Sequence, residues 1–290
     1  NYMPELPEVE VVKKSLESQI NNLIIKKVQV NDGNLRYEVK KRDINKIINQ
    51  KILRIKRRSK YLLFFLTRNI SIIIHLGMTG KFFILNKNLK RKKLSFYYEE
   101  EDYLKKHNRL IFFFNNNLKL IYNDIRKFGF IKVVLTKDLN TNFHLKLLGP
   151  EPLKKNFNFH YFKNYIIKRR RTIKNLLMDQ KFVSGLGNIY VNEILFLSKI
   201  TPKRKIDKLN NQEINKIIIN TKKILKKAIE FGGSSIKNFL SSAGKKGNFQ
   251  QHFNVYGKKG YNCPNIDCNA VIKKITIDNR ASFFCSKCQK

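Results

Sequence analysis

Hydrophobic residues along the chain follow two different periods, which predict two kinds of structure in succession. Between about residues 23 and 135, short apolar and aromatic runs alternate with polar turns, as in the strands of a β-sandwich or flattened barrel. These runs are IIKKVQV, KILRIKRR, YLLFFL, ISIIIHLG, KFFIL, RLIFFF, KLIYND and FGFIKVVL. From about residue 156 to 240, apolar residues recur at three- and four-residue steps, which indicates helices in FHYFKNYII, TIKNLLMDQ, NIYVNEILFLS and NQEINKIIINTKKILKKAIEFGG.

The segments between and around these regions predict the domain organisation. Residues 4–20 are predicted to form one helix with a buried face made of Val9, Val12, Leu16 and Ile20. Turn-forming residues and two prolines predict a linker at 136–152. The predicted domains are a β-sandwich at 3–135, a helical domain at 153–242 and a C-terminal unit at 253–290.

The composition favours a folded protein that binds nucleic acid. The chain has 290 residues, 42% of them hydrophobic, which suffices for two or three units with separate cores. Sixty Lys and Arg face 21 Asp and Glu, and dispersed cations neutralise phosphates well, although AT-rich codons also enrich lysine. No apolar run reaches the ~18 residues of a membrane span, and no signal-peptide pattern is recognisable. We therefore expect no membrane association and a cytoplasmic location.

All four cysteines lie near the C-terminus, in the pattern C-x4-C-x16-C-x2-C. Two close pairs separated by a short hairpin can bring four thiolates onto one tetrahedral Zn2+. Two disulfides are the alternative, but disulfides do not persist in the cytosol. The flanking sequences AVIKKITI and RASFF are typical of strands. We therefore predict a β-hairpin zinc finger, with one structural zinc ion held by Cys263, Cys268, Cys285 and Cys288.

The stretch MPELPEVE places three glutamates and two prolines near the start of a strongly basic chain. The simplest interpretation is a helix start. Proline is tolerated in the first helical turn, where its missing N–H costs nothing, and acidic side chains favour the positive end of the helix dipole. A catalytic role for the same residues is an alternative that this stretch alone leaves open.

A series of short motifs connects the whole chain to one family. In order, they are MPELPEVE, RRSKYLLF, HLGMTGKF, NDIRKFGF, LGPEPL, MDQKFVSGLGNIYVNEILF, FGGSSIKNFL, VYGKKGYNC and the cysteine pattern. Together they closely resemble the formamidopyrimidine-DNA glycosylases, bacterial repair enzymes that remove oxidised purines. The resemblance runs from Met3 to Lys290. It implies an α+β multidomain fold: an N-terminal β-sandwich with a leading helix, a helix-two-turn-helix domain and a C-terminal β-hairpin zinc finger.

The resemblance implies that the opening stretch carries the chemistry. In this family the amine of an N-terminal proline attacks C1′ of the damaged nucleotide, and Pro4 is the matching residue. A terminal α-amine has a pKa near about 8, against about 10.4 for lysine, so more of it is free base at neutral pH. The iminium that forms is an electron sink, which allows base excision and β,δ-elimination from one intermediate. Glu5 matches the acid/base for the sugar, and Glu8 is expected to hold the amine and shape the pocket.

The position of Pro4 in this sequence departs from that requirement. Pro4 follows Asn1-Tyr2-Met3, so its nitrogen belongs to an amide and cannot attack. We expect Met3 to be the true start, with its removal exposing the Pro4 amine. A form that kept these residues would lack lyase chemistry.

Further catalytic and phosphate-binding residues are implied by the resemblance alone. Lys60 matches the lysine that contacts the phosphate beside the lesion and takes part in β-elimination, whereas on composition it is one solvated lysine among many. Arg280 matches the finger arginine that grips phosphate and assists δ-elimination. Asn188 matches a phosphate-binding asparagine, preceded by glycines that allow close backbone approach.

Enzymes that flip a base out of the helix must fill the gap that it leaves. Met78, Arg126 and Phe128 match the void-filling residues of the family, and a guanidinium suits the acceptor edge of the widowed cytosine. As a methionine and a phenylalanine, two of these would more commonly be core residues. The other matching DNA-contacting residues are His75, His107, Arg170, Lys174, Lys237 and Tyr256.

Three departures from the family pattern are visible. The sequence Ile-Arg-Lys-Phe replaces the usual Pro-Arg-Arg-Phe, which bears on loop rigidity and on one phosphate contact. Lys246 and Asn248 replace the usual Pro and Tyr in the loop that covers the flipped base, which bears on base preference. The first cysteine pair is C-x4-C rather than C-x2-C, a spacing that still suits zinc.

The expected partner is double-stranded DNA with an oxidised purine or an abasic site, bound by a monomer. Two other functions remain as alternatives. An endonuclease VIII type enzyme shares the fold but typically opens with Pro-Glu-Gly-Pro. A non-catalytic nucleic-acid-binding zinc protein would be consistent with residues that block Pro4.

Overall fold

The computed structural model describes residues 3–85, 91–93, 105–234 and 249–290, with only the backbone described for 91–93. The described chain divides into two compact units. The N-terminal unit contains the residues up to Lys146 together with 231–234, and the C-terminal unit contains 147–230 and 249–290. The chain therefore returns to the first unit for a short segment after the last long helix of the second.

The N-terminal unit is built from helices α1 (Leu6–Ile20) and α2 (Lys41–Ile47) and two antiparallel sheets. Its strands are Ile25–Val30 (β1), Ile52–Arg58 (β2), Tyr61–Leu66 (β3), Ile70–His75 (β4), Lys81–Leu85 (β5), Arg91–Lys93 (β6), Asn108–Phe114 (β7), Lys119–Asn123 (β8) and Phe130–Leu135 (β9). One sheet has the order β1-β7-β8-β5-β6 and the other β2-β3-β4-β9. The predicted β-sandwich is therefore confirmed.

The core of this unit lies between the sheets and α1. The predicted buried face of α1 is confirmed, because each of its four residues is fully buried: Val9, Val12, Leu16 and Ile20. Aromatic side chains from both sheets fill the interior, among them Phe64, Phe82, Phe112 and Tyr122. Burial of such rings is the main favourable term in the folding of the unit.

The C-terminal unit is organised around one buried helix. Its elements are Phe159–Ile166 (α3), Ile173–Met178 (α4), Asn188–Leu197 (α5), Asn211–Glu230 (α6), Ile272–Ile277 (β10) and Arg280–Cys285 (β11). Every residue of α5 from Ile189 to Phe196 is buried, as expected for a helix that is covered on all sides. The helix contacts α6 as well as the β10–β11 hairpin, so the hairpin shares a unit with the helices.

The predicted strands and helices appear with boundaries that differ by a few residues, whereas α2 and β6 were not predicted. Helix α2 has seven residues, of which only Ile44 and Ile47 are buried, so it leaves no periodic pattern. The predicted three-domain division stays a prediction. Among the described residues, no helix has the length and apolarity that a membrane crossing requires.

Replacing a buried phenylalanine should cost much more stability than replacing an exposed one. Phe82 is fully buried and its ring lies 5.2 Å from that of Tyr122, whereas Phe143 is 71% exposed. Phe82→Ala should lower the free energy of unfolding by about 3–5 kcal/mol, measured by urea denaturation. The matched control Phe143→Ala should change it by about 0.5 kcal/mol or less. Equal losses in the two variants would contradict the described core.

Candidate active site and DNA-binding residues

The start of α1 is a capping box formed by two buried glutamates. Glu5 is the N-cap residue, and its side chain and that of Glu8 each accept a hydrogen bond from the backbone N–H of the other. The Glu5 N–H donates to Glu8 Oε2 at 2.9 Å. Pro4 is buried next to this cap, and Pro7 occupies the first turn. The helix-start interpretation is therefore confirmed, and the cap also fixes the residue that follows Pro4.

Glu8 connects α1 to the segment after α6. Its carboxylate is fully buried, and Oε1 accepts hydrogen bonds from the Ser234 N–H at 2.8 Å and the Ser234 hydroxyl at 2.9 Å. Gly233 has φ +82°, and a Cβ there would lie 3.1 Å from Glu8 Oε1, so the close approach requires glycine. The loop that is expected to cover a flipped base, SSAGKKGNF at 241–249, lies outside the described residues except for Phe249, and so do its Lys246 and Asn248.

Lys60 lies in the two-residue turn between β2 and β3, where Arg58 pairs with Tyr61. Ser59 has φ +55° and is buried. The Arg57 guanidinium donates from Nε to Glu10 Oε2 at 2.7 Å and from Nη1 to the Ser59 carbonyl at 2.8 Å. Because Glu10 belongs to α1, this bridge fixes the lysine-bearing turn to the helix that begins next to Pro4.

His75 ends β4 and is held as a neutral donor. Burial, and then the positive charges of Lys60 and Arg36, lower the pKa of His75 to about 3. The ring stacks on Phe130 at 5.8 Å, and Nδ1 accepts the Gly77 N–H at 3.0 Å. The proton of the neutral imidazole therefore resides on Nε2, which can donate to a phosphate oxygen.

A groove of about 500 Å³ lies in the N-terminal unit beside this histidine. Several of its lining residues are those that the resemblance assigned to DNA, and the full lining is Met3, Arg36, His75, Gly77, Met78, Arg126, Lys127 and Phe128. Met3, the residue before Pro4, is 41% exposed. Met3 and the expected void-filling residues therefore border one cavity.

The two loops that carry the expected void-filling residues are joined through a buried aspartate. Asp124 Oδ1 accepts the Thr79 hydroxyl at 2.5 Å, and Thr79 Oγ1 accepts the Arg126 N–H at 3.0 Å. Asp124 Oδ2 accepts the Gly129 N–H at 2.9 Å. A Cβ on Gly129 would lie 1.9 Å from the Tyr122 hydroxyl, so no larger residue fits. One carboxylate thus fixes the loop after β4 against the loop before β9.

The three expected void-filling side chains meet in one group. The Arg126 guanidinium carbon lies 4.5 Å from the centre of the Phe128 ring, and Arg126 Nη1 lies 3.4 Å from Met78 Sδ. Phe128 is 45% exposed, and Met78 and Arg126 are partly exposed. The core interpretation of the methionine and phenylalanine therefore does not hold, because these side chains lie at the surface beside the groove.

Arg280 follows a tight turn at the end of the β10–β11 hairpin. Asp278 and Asn279 have φ of +45° and +58°, and Ile277 pairs with Arg280, as in a two-residue hairpin of the type that matches strand twist. The next carbonyl, that of Ala281, accepts Asn188 Nδ2 at 3.0 Å. Helix α5 therefore holds the backbone beside the exposed arginine.

Lys174, which the resemblance matches to a DNA-contacting lysine, is buried in this structure. Its side chain is 1% exposed, and Nζ donates to the Ala281 carbonyl at 2.8 Å and to Ser282 Oγ at 2.6 Å. Burial, followed by the charge of Arg280, lowers the pKa of Lys174 to about 7. The interior supplies the acceptors that a surface lysine would find on phosphate, so Lys174 holds β11 here, and its expected contact with DNA stays a prediction.

Another buried carboxylate, that of Glu193, holds the loop that carries Tyr256. Glu193 on α5 is fully buried, with Oε1 accepting the Val255 and Tyr256 N–H groups at 2.9 and 2.8 Å. Its Oε2 accepts the backbone and side-chain N–H groups of Asn254 at 2.7 and 2.9 Å. The Tyr256 ring meets Phe283 edge-on at 5.2 Å. Helix α5 thus fixes the loop as well as the hairpin.

The remaining expected DNA contacts are dispersed. Arg170 is exposed in the connection before α4, and His107 is partly exposed, with Nδ1 3.3 Å from Arg109 Nη2. Lys237 lies outside the described residues. Sequence reasoning did not single out Arg57, Arg109, Asp124 or Glu193. The sequence signal that could have identified these four residues was the position of a charged residue inside or beside an apolar run.

The four cysteine sulfurs form one cluster. All lie within 4.8 Å of one another, with Sγ–Sγ distances of 3.8 Å for Cys263–Cys288 and 3.6 Å for Cys268–Cys285. Disulfides need about 2.05 Å, and the four thiols are free. Ligands at about 2.3 Å from a tetrahedral zinc lie about 3.8 Å apart, so the cluster fits a metal ion. The longer first loop is accommodated, with the Cys268 N–H donating to the Asn265 carbonyl at 3.0 Å.

Comparisons with known proteins agree with this arrangement. The model of the formamidopyrimidine-DNA glycosylase N-terminal domain matches residues 3–131, and that of the H2TH domain of the same family matches 148–240. The formamidopyrimidine-DNA glycosylase of Rickettsia bellii (strain OSU 85-389) is 41% identical over 288 residues, covering 99% of this chain and 100% of the relative. That of Bartonella tribocorum is 37% identical over 294 residues, with coverage of 99% and 100%.

Solved structures extend the likeness to three dimensions. A complex between the Lactococcus lactis Fpg and DNA containing an abasic site has a TM-score of 0.85 at 34% identity, covering 99% of each chain. A complex of the wild-type Lactococcus lactis protein with DNA containing N7-benzyl-Fapy-dG also has a TM-score of 0.85 at 34% identity, covering 99% of this chain and 100% of that one. On these matches over almost its full length, the chain belongs to the formamidopyrimidine-DNA glycosylase family.

Proposed function

We propose that this protein is a base-excision repair enzyme that removes oxidised purines from DNA and then cleaves the strand at the abasic site. The observation that carries the proposal is the meeting of Met78, Arg126 and Phe128 in one exposed group beside the groove. Three surface side chains from two loops, braced from beneath by Asp124, suit insertion into a gap left by an extruded base. Relatives that share the fold were solved with lesion-containing DNA.

In the proposed mechanism, the free Pro4 amine attacks C1′ and displaces the damaged base, which leaves with a proton. The nitrogen lone pair then opens the sugar ring: the C1′–O4′ bond breaks, O4′ takes a proton, and the C1′–N bond to proline becomes an iminium, whose positive charge acidifies the C2′ proton. Loss of that proton breaks the C3′–O bond, and a second elimination breaks the C5′–O bond. Glu5, fixed by the capping box, serves the sugar as acid and base. Lys60, fixed through Arg57, serves the adjacent phosphate and the β-elimination.

Phosphate binding is assigned to residues from both units. His75 offers a neutral N–H, and Arg280 a charged group that can bind a phosphate with two parallel hydrogen bonds. Asn188 is proposed to bind phosphate from the N-terminus of α5. His107, Arg170, Lys237 and Tyr256 are proposed as further contacts.

We further propose that the four cysteines hold one structural Zn2+. The ion would cross-link the two ends of the finger, which is too small to fold on a core of its own. Strand β11 runs from Arg280 at one end to Cys285 at the other, so the metal site supports the strand that presents the arginine. With DNA as substrate and bacterial relatives, the proposed location is the cytoplasm, with the protein acting as a monomer.

Borohydride trapping on an 8-oxoguanine duplex tests the nucleophile. Protein that begins at Pro4 should form a covalent adduct, and Pro4→Gly should retain a weaker, primary-amine version. Protein that retains residues 1–3 should form none at Pro4, because an amide nitrogen's lone pair is delocalised. Glu5→Gln should lose excision yet still nick a preformed abasic site, where the sugar is already open to the amine.

Sequencing of the trapped peptide decides the assignment. Attachment at Lys60 or another lysine, with Pro4 free, would show that the nucleophile is wrongly assigned. Absence of any adduct from protein that begins at Pro4, with DNA binding intact, would favour the non-catalytic alternative.

Removal of the metal tests the finger. Purified protein should contain one zinc per chain by elemental analysis, and Cys285→Ser should lose both the zinc and DNA binding. The N-terminal unit should remain folded by circular dichroism, because its core contains no residue of the finger. Ser286→Ala is the matched control, since Ser286 is exposed in the same loop, and it should keep the metal. DNA binding by a metal-free protein would contradict the proposal.

Met78→Ala should slow excision of 8-oxoguanine about tenfold or more, because extrusion of a base costs a few kcal/mol and about 1.4 kcal/mol is a factor of ten. Affinity for undamaged duplex should stay nearly unchanged, since it depends on phosphate contacts. Single-turnover rates and fluorescence anisotropy measure the two effects. Leu135→Ala, another exposed apolar residue of the same unit, is the control. An equal loss of affinity on undamaged DNA would assign Met78 a different role.

A further inference from the structure

Asp32, in the loop after β1, pairs with two cations. One is Arg109 on β7, and the other is Lys127 in the loop before β9. Asp32 Oδ2 accepts Arg109 Nη1 and Lys127 Nζ, each at 2.8 Å. The neighbouring Asn34 N–H donates to its Oδ1 at 3.0 Å. Hydrogen bonding to Lys127, and then to the Asn34 backbone, lowers the pKa of Asp32. The carboxylate is therefore ionised at neutral pH and bound on both oxygens.

Arg109 anchors this carboxylate to the base of the loop. The arginine is 6% exposed, and its Nε donates to the Asp124 carbonyl at 2.8 Å, with Nη2 3.5 Å from the Ile125 carbonyl. A guanidinium with bonds in a fixed fork has little freedom to move. Asp32 is consequently held in place relative to the first residues of the loop.

Lys127 is the point at which Asp32 reaches the void-filling residues. It lies between Arg126 and Phe128 and has φ +58°, a left-handed conformation that is unfavourable for a lysine without support. The side chain of this residue is held by the ion pair with Asp32. On either side of this backbone turn, the Arg126 guanidinium carbon lies 4.5 Å from the centre of the Phe128 ring.

We propose that Asp32 is a positioning residue for Arg126 and thereby sets how strictly the enzyme requires cytosine opposite the lesion. The inference rests on the proposed function. By holding Lys127, the Asp32 carboxylate fixes the conformation of the neighbouring Arg126 guanidinium before DNA binds. A fixed guanidinium matches the acceptor edge of cytosine better than the edge of adenine, whereas a mobile one can adapt to either.

The test is the ratio of single-turnover excision rates for 8-oxoguanine opposite cytosine and opposite adenine, with enzyme saturating so that affinity does not enter. Asp32→Asn keeps the size of the side chain and removes its charge. The ratio should fall about two- to five-fold, the factor that a half-exposed ion pair corresponds to. Asp32→Glu, which keeps the carboxylate, should restore at least part of the ratio.

Asp43→Asn is the matched control, because Asp43 forms a comparable exposed pair with Lys46 at 2.9 Å on α2, away from the groove. It should leave the ratio unchanged. In a Lys127→Gln background, Asp32→Asn should have no additional effect, since the partner through which it acts is gone. Thermal melts of all variants report stability separately.

Two outcomes would overturn the inference: an unchanged ratio in Asp32→Asn, whether or not both substrates are slowed equally, and an undiminished effect in the Lys127→Gln background. Failure of the wild-type protein to excise 8-oxoguanine opposite either base would instead contradict the proposed function.

Discussion

The hydrogen bonds accepted by the buried Glu8 carboxylate hold the expected catalytic end of the molecule together. A charge removed from water is tolerated only where donors surround it, and Glu8 receives the Glu5 N–H and two groups of Ser234. These bonds fix the start of α1 and the segment after α6 to each other. Glu5, the residue next to the expected nucleophile, and the segment that contains Gly233 and Ser234 therefore share one anchor.

The same arrangement recurs at the other loops that carry expected DNA contacts. Asp124 joins the two loops of the void-filling residues, and Glu193 holds the loop of Tyr256. Acidic residues are scarce in this chain, 21 against 60 basic ones, so a buried carboxylate in each of these places indicates a structural role. Each carboxylate accepts hydrogen bonds from backbone N–H groups of a loop. Because those groups have no partner in a strand or helix, the carboxylate gives the irregular segment one defined conformation.

The sequence allowed prediction of most regular elements and of the metal cluster, because both leave local signals. Strands such as YLLFFL and the face of α1 follow from periodicity, and the cysteine spacing follows from ligand geometry. The burial of Lys174 could not be predicted, because a lysine is ordinarily a surface residue and only the fold brings the Ala281 carbonyl and Ser282 to its ammonium. The Asp32–Arg109–Lys127 network joins three segments that are distant in the sequence, so no local sequence pattern predicts it. Glu193 could have been suspected, since a glutamate within NIYVNEILFL must be buried with the rest of its helix.

The neutral state of His75 has a consequence for how the protein tolerates its surroundings. With a pKa near about 3, the imidazole does not change charge as the cell acidifies by a unit or two. A neutral donor also displaces no counterion when it bonds a phosphate oxygen, so its contribution does not weaken as salt rises, unlike that of each lysine or arginine. Among the proposed phosphate contacts, a hydrogen bond from His75 would therefore keep its strength across changes in ionic conditions, unlike those of the exposed lysines and arginines.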